Sequence, residues 1–200
     1  MATLIWTLVA FGLGAIPCSV LVGRLALRID IRRYGDRNPG ATNVARAGGW
    51  QWGALALVLD MLKGAIPVGL AWYWGGLSGW LLVPVALAPI LGHAYSPFLG
   101  FRGGKALAVS LGVWGGLTMG QGPLLLAVLL LLWYALIAVD GWAVLLTALS
   151  FGLYLLLAGA EAPLLTIWAG NTLIIAWKHR ADLALVPYLR PWLRKIGSHR

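Results

Sequence analysis

Seven apolar runs, at residues 4–22, 49–74, 80–92, 106–118, 123–139, 142–158 and 163–177, take up most of the chain and are separated by short polar or Gly/Pro-rich stretches. A helix needs about 20 apolar residues to cross a bilayer. In lipid each backbone polar group must find its partner within the spanning element, and runs of this length satisfy that as helices. The third and fourth runs are short for a crossing, so their helices are expected to extend into the flanking Gly/Pro segments or to form a re-entrant pair. Only 10% of the 200 residues are charged and 60% are hydrophobic, with a mean hydropathy of +0.85. Ordinary soluble domains are about a quarter charged. No room is left for a separate soluble catalytic domain, so any chemistry belongs to the loops or the bundle interior. The expectation is an all-α polytopic integral membrane protein with about seven transmembrane helices, forming a single domain over residues 1–200.

Lys and Arg are retained on the cytoplasmic side of membrane proteins, so their distribution sets an orientation. Arg24, Arg28, Arg32, Arg33, Arg37 and Arg46 follow the first run. Arg102 and Lys105 follow the third, and Lys178, Arg180, Arg190, Arg194, Lys195 and Arg200 follow the seventh. Residues 73–78, 117–122 and 159–163 contain no Lys or Arg. The N-terminus is therefore expected outside and the C-terminus in the cytoplasm. Trp72, Trp74 and Trp80 would mark one interface, and Trp50, Trp52 and Trp177 the other. The net charge of +9 is read as attraction to anionic lipid headgroups rather than to nucleic acid. Cys18 is the sole cysteine, which excludes an internal disulfide or a multi-cysteine metal site. Residues 1–22 lack a positive n-region and a cleavage pattern, and are read as a retained first span. Pro17 before Cys18 argues against a lipoprotein signal. Residues 183–200 mix Leu185, Leu189, Trp192, Leu193 and Ile196 with Arg190, Arg194 and Lys195, as an interfacial basic segment would.

Four polar segments are candidates for chemistry. Residues 33–46 form a turn-rich run in which Gly40 permits a tight turn and Thr42 or Asn43 caps a helix, whose free amides would suit a phosphate. Arg46 lies one turn on and adds a fork of donors. The plainer alternative is a capped loop touching lipid headgroups. Residues 92–105 place Gly103, Gly104 and Lys105 ahead of a helix, a set of amides plus an ammonium for a phosphoryl oxyanion. It is not a Walker loop, which requires Gly-x-x-x-x-Gly-Lys-Ser/Thr. By local chemistry alone, His93 reads more readily as a structural histidine than a catalytic one, and Lys105 as a topology anchor. Asp60 and Lys63, three apart inside an apolar run, read as a structural ion pair bordering the site. His179 and Asp182 stand at i, i+3 after the last run, either as a proton-handling dyad or as part of an interfacial basic cluster. No metal-ligand spacing and no Gly-x-Ser-x-Gly elbow occurs, so neither a metal, another cofactor nor a covalent enzyme intermediate is expected. No internal repeat encourages a transporter.

Taken together, Gly14-Ala-Ile-Pro-Cys-Ser, Gly35-Asp-Arg-Asn-Pro-Gly-Ala-Thr-Asn-Val-Ala-Arg46, Asp60-Met-Leu-Lys-Gly64, Gly92-His-Ala-Tyr-Ser-Pro-Phe-Leu-Gly-Phe-Arg-Gly-Gly-Lys105 and Lys178-His179 resemble the bacterial membrane acyl-phosphate:glycerol-3-phosphate acyltransferase family. The resemblance implies seven helices and an extracellular N-terminus. It also implies transfer of a fatty acyl group from acyl phosphate to the sn-1 hydroxyl of glycerol 3-phosphate, on the cytoplasmic side of the inner membrane, as the first step of phospholipid synthesis. By resemblance, Asn38, Gly40, Thr42, Asn43 and Arg46 contact a substrate phosphate, and Lys105 with the amides of Gly103 and Gly104 holds the other phosphoryl group. Ser96 and Asp182 would be further polar contacts, while His93 and His179 orient substrates or assist proton movement, with a substrate phosphate as an alternative base.

Several positions depart from the family pattern. Gly-Ser-Gly-Asn-Pro-Gly reads Gly35-Asp-Arg-Asn-Pro-Gly40, which sets a carboxylate beside an anionic substrate and requires Arg37 or Arg33 to neutralise Asp36. A serine-bearing turn reads Ala138-Val-Asp-Gly-Trp142, the Asn expected after Lys178-His179 is Asp182, and Gly-Gly-Lys-Gly reads Gly103-Gly-Lys-Ala106. Two alternatives therefore stand beside the leading reading: the same scaffold acting on another polar acceptor, or a non-catalytic lipid-binding paralogue.

Overall fold

The computed structural model describes residues 1–193, which are helical for most of their length. The chain divides into two compact units, Met1–Gly122 and Pro123–Arg200, each described by itself. The first holds α1 (Ala2–Ala15), α2 (Cys18–Ala26), α3 (Ala41–Gly48), α4 (Trp50–Tyr73), α5 (Leu82–Ala94) and α6 (Leu107–Thr118). The second holds most of α7 (Gln121–Leu136), then α8 (Asp140–Leu157), α9 (Ala162–Lys178) and the short α10 (Arg180–Leu183). Each of the seven apolar runs is helical, because lipid leaves such sequences no other way to pair their amides.

The first run is a broken helix rather than one rod. Pro17 has no N–H to continue the ladder and forces Ile16 into an extended conformation (φ −58°, ψ 122°). The break leaves the Ile16 carbonyl turned to a new partner, and Lys63 Nζ donates to it at 2.7 Å. The third run lengthens through turns at Gly79–Leu81 and Pro97–Leu99 into a 21-residue stretch, as its Gly/Pro flanks suggest. α6 stays at 12 residues, about 18 Å, well short of a hydrocarbon core of about 30 Å. Among the described residues, Ala2–Ala26, Trp50–Tyr73, Gly79–Leu99 and Asp140–Leu157 are long and apolar enough to cross a membrane.

Small residues let the helices of the first unit approach closely, as in membrane bundles. A Cβ on Gly112 of α6 would overlap the Met61 carbonyl of α4, and one on Gly14 of α1 would overlap Pro89 of α5. α3 lies on α2 and α4, burying Val44 against Val20, Val22, Ile31 and Ala56. The outer face of α4 exposes Leu55, Val58, Leu62 and Ile66, a contiguous apolar surface suited to lipid tails rather than water.

In the second unit Trp168 Nε1 on α9 donates to the Ala148 carbonyl of α8 at 2.7 Å, across Gly152. The described part of residues 183–200 returns as an extended strap rather than lying free at an interface. Ala138 donates its amide to the Tyr188 carbonyl, Arg190 donates to Leu136, and Arg190 Nε reaches the Tyr134 carbonyl at 2.7 Å. Arg194, Lys195, Ile196 and Arg200 of that expected basic segment lie outside the described residues.

Candidate functional site

The loop before α3 is built around one asparagine. Pro39 and an extended Gly40 (φ −129°, ψ 168°) start the helix, so its N-cap is Gly40 rather than the expected Thr42 or Asn43. Pro39 has no N–H to give to a helical ladder, and the helix begins directly after the Asn-Pro-Gly turn. A Cβ at Gly40 would crowd the Asn38 side-chain amide at 2.7 Å. Asn43 is thereby placed in the first turn, buried, with its side chain fully engaged. Its Nδ2 donates to the Asn38 carbonyl and to Asp36 Oδ1, both at 2.9 Å, and its Oδ1 accepts from Arg46 Nη1 at 3.1 Å. The expected alignment of Arg46 with Asn43 is thus realised, and the guanidinium stays exposed. Thr42 is exposed on the same turn. Gly35 closes over this pair with φ +54°, where a Cβ would overlap both Arg46 Nη1 and Asn43 Oδ1. Its motif was legible in the sequence, but its role as the cover of Arg46 was not.

The second loop follows α5 and is folded back on that helix. Ser96 donates to the Ala15 carbonyl at 2.6 Å from a buried position, which ties the loop to the end of α1. Phe101 donates to the Ser96 carbonyl and Gly104 to the His93 carbonyl at 3.1 Å. Gly103 and Gly104 press against His93, one on its carbonyl and the other on its ring, with no space for a Cβ at either. Lys105 then extends to Asp36 Oδ2 at 3.0 Å. Asp36 is therefore neutralised by Lys105, not by Arg33 or Arg37, because the turn around Gly35 aims the carboxylate at the second loop. Burial alone would push the Asp36 carboxyl up. The Lys105 hydrogen bond, the Asn38 amide (3.2 Å) and the Asn43 side chain outweigh it and hold the carboxyl below its ordinary value.

Beneath the second loop lies a buried polar cluster. Asp60 pairs with Lys63 at 2.7 Å, as the i, i+3 spacing suggests, and the aspartate is 1% exposed. Ser19 Oγ donates to Asp60 Oδ2 at 2.6 Å. His93 Nδ1 stands 3.9 Å from Asp60 Oδ1, and the far side of its ring meets Gly104. Paired buried charges with further hydrogen bonds are the form in which ions persist inside a bundle. The sequence reading missed Ser19 and the Ile16 carbonyl. Pro17, which frees that carbonyl, was the available signal.

The structure thus brings Asn38, Gly40, Asn43, Arg46 and Lys105 around Asp36, with Asp60, Lys63, His93, Gly103 and Gly104 as the support of the Lys105 loop. His179 and Asp182 belong to the second unit. His179 is buried, and its Nδ1 lies 3.0 Å from the Ile175 carbonyl. A carbonyl only accepts, so Nδ1 carries the proton of that contact. Gly141 lets the start of α8 pack against Asp182 and His179, and Asp140 occupies the first turn of α8, a favourable place for a carboxylate.

A lysine, an arginine, an asparagine side-chain amide and the Asn38 backbone N–H gathered where two loops meet make an anion-binding arrangement. Residues 4–186 match the family described as glycerol-3-phosphate acyltransferase. A glycerol-3-phosphate acyltransferase of Desulfovibrio desulfuricans is 40% identical over 188 residues, covering 92% of this chain and 81% of the relative. That of Thermus thermophilus is 39% identical over 188 residues, covering 92% and 91%. The fold is similar to crystal structures of PlsY (YgiH), an integral membrane glycerol 3-phosphate acyltransferase. The glycerol 3-phosphate form has a TM-score of 0.82 at 33% identity, covering 92% of this chain and 91% of that one. The lysophosphatidic acid form has a TM-score of 0.81 at 30% identity with the same coverage. With a match across nearly its whole length and relatives at this identity, the chain belongs to the glycerol-3-phosphate acyltransferase family.

Proposed function

We propose that this protein transfers a fatty acyl group from acyl phosphate to the sn-1 hydroxyl of glycerol 3-phosphate, releasing phosphate and lysophosphatidic acid. The observation that carries this reading is the convergence of Lys105, Asn43 and the Asn38 amide, from two loops far apart in sequence, on a single anionic group. Both substrates present phosphate to such a site. An acyl phosphate is an activated mixed anhydride, so the protein has to align the partners and stabilise oxyanion charge rather than form a covalent intermediate. Lys105, the Asn43 side chain and the Asn38 amide hold one phosphoryl group, while Gly103 and Gly104 support the Lys105 loop, the Gly104 amide being given to the His93 carbonyl. Thr42 and Arg46, exposed on α3, take the other, Gly40 shapes the turn, and Ser96, whose buried hydroxyl is given to the Ala15 carbonyl, anchors the second loop rather than touching substrate. The attacking hydroxyl attaches to the acyl carbon as the C–O bond to phosphate breaks, and its proton passes to a substrate phosphate oxygen. His93 acts through Gly104 as a positioning residue. For His179 the family resemblance implies orientation of substrate or proton movement, whereas Asp182 stands where the family pattern has Asn.

Seven crossings place the protein in the bacterial inner membrane, with the N-terminus outside and the loops before α3 and α6 facing the cytoplasm. The second reading, another polar acceptor on the same scaffold, is favoured by Asp36, a carboxylate where an anionic acceptor would bind. A donor comparison tests the finer claim. Purified protein should acylate glycerol 3-phosphate from palmitoyl phosphate and not from a palmitoyl thioester. Transfer from the thioester, or transfer from palmitoyl phosphate to glycerol but not to glycerol 3-phosphate, would overturn the donor or acceptor assignment respectively.

A further inference from the structure

Asp36 is the one anion among the donors of the candidate site, and its carboxylate holds the partners that a phosphate needs. Oδ2 takes Lys105 Nζ at 3.0 Å, while Oδ1 takes Asn43 Nδ2 at 2.9 Å and the Asn38 amide at 3.2 Å. Donors from three places, the turn, α3 and the second loop, thus meet on two carboxylate oxygens as they would on two oxygens of a phosphoryl group. A phosphate and a carboxylate cannot share these donors, because like charges at contact distance repel. The carboxylate is also able to leave. Its side chain is 45% exposed, against 28% for Lys105, and it stands in a run of exposed residues from Arg33 to Arg37.

Resting on the reading of Lys105 and Asn43 as phosphate ligands, we propose that Asp36 is a built-in stand-in for the anionic substrate, which a phosphoryl group must displace in order to bind. In the empty site it keeps the ammonium and the amides paired. On turnover it returns to them as phosphate leaves, which lowers anion affinity and favours product release. Asp36 is in this sense a specificity residue acting by competition, and not a catalytic one.

The test uses the full-length protein in detergent with inorganic phosphate as the probe, read by titration calorimetry, beside the KM and kcat for glycerol 3-phosphate. Asp36→Asn keeps the shape and removes the charge, and Asp36→Ser shortens the side chain. Both are expected to bind phosphate about tenfold tighter, as removal of a charged hydrogen-bonding competitor would give, with KM falling far more than kcat. The gain should vanish when Lys105→Gln is added to Asp36→Asn. Unchanged or weaker phosphate binding in both folded variants would overturn the proposal, as would a gain that persists without Lys105. The two readings fail separately. Wild-type turnover with no gain in the variants leaves the acyltransferase and removes the stand-in. A gain in phosphate affinity with no acyl transfer from any form does the reverse.

Discussion

At the scale of single residues, Lys105 and Arg46 are the groups whose loss should silence the site. Lys105→Ala and Arg46→Ala are each expected to lower kcat/KM for glycerol 3-phosphate by about 100-fold or more, the usual size for a removed oxyanion donor, while thermal unfolding in detergent changes little. Two of the departures from the family pattern acquire a conformational meaning. Arg37 and Ala106 stand where the pattern has glycine, and both adopt the left-handed region, at φ +61° and +66°. A side chain there costs about 1–2 kcal/mol, so Ala106→Gly should raise stability by about 1 kcal/mol, measured as a higher unfolding midpoint. At Gly35 the logic reverses. Gly35→Ala meets both a left-handed backbone and the Arg46–Asn43 pair, and is expected to cost about 1–3 kcal/mol and to impair turnover. The motifs that hold these residues were readable from the sequence. The partner of Asp36 was not, because nearby Arg33 and Arg37 were the obvious neutralisers and only the folded turn shows that the carboxylate faces Lys105.

At the scale of elements, the break at Pro17 organises the first unit. It exposes the Ile16 carbonyl, sets Ser19 against Asp60, and so fixes the ion pair that lies under His93 and the Lys105 loop. Lys63→Met leaves Asp60 buried without its cation and should cost about 3–5 kcal/mol, whereas replacing both members by apolar residues should recover most of that loss. Thermal unfolding of the two variants beside the wild type measures it. The Asp36–Lys105 bridge joins the two loops and carries a pH signature. Because the folded carboxyl lies below its unfolded value, the link contributes fully above about pH 4 and is lost as pH falls through the folded value. Hydrogen exchange of residues 33–46 should therefore be level from pH 7 to about pH 4, after correction for intrinsic rates, and rise below it, with no such step in Asp36→Asn. The half-exposed pair limits the effect to about 1 kcal/mol or less. Apolar length made the helices legible in advance. The broken first helix, the strap of residues 185–190 and the failure of α6 to extend beyond its short apolar run depend on carbonyls, side chains and packing that hydropathy does not record.

At the scale of the whole molecule, the charge distribution and the tryptophans that the sequence assigns to two interfaces predict the topology. Trp50, Trp74, Trp80 and Trp177 are all well exposed, as interfacial anchors would be. In a Cys18→Ser background, a single cysteine at Ser78 should react with a membrane-impermeant maleimide in intact cells, and one at Arg102 only after permeabilisation. Labelling in the opposite sense would invert the orientation. In the proposed function the loops before α3 and before α6 together make the phosphate site for acyl transfer. Incubation of the purified protein with palmitoyl phosphate and labelled glycerol 3-phosphate tests it most directly. Labelled lysophosphatidic acid is expected from the wild type and is absent with a folded Lys105→Ala variant. No product from folded wild-type protein, or undiminished product without Lys105, would contradict it.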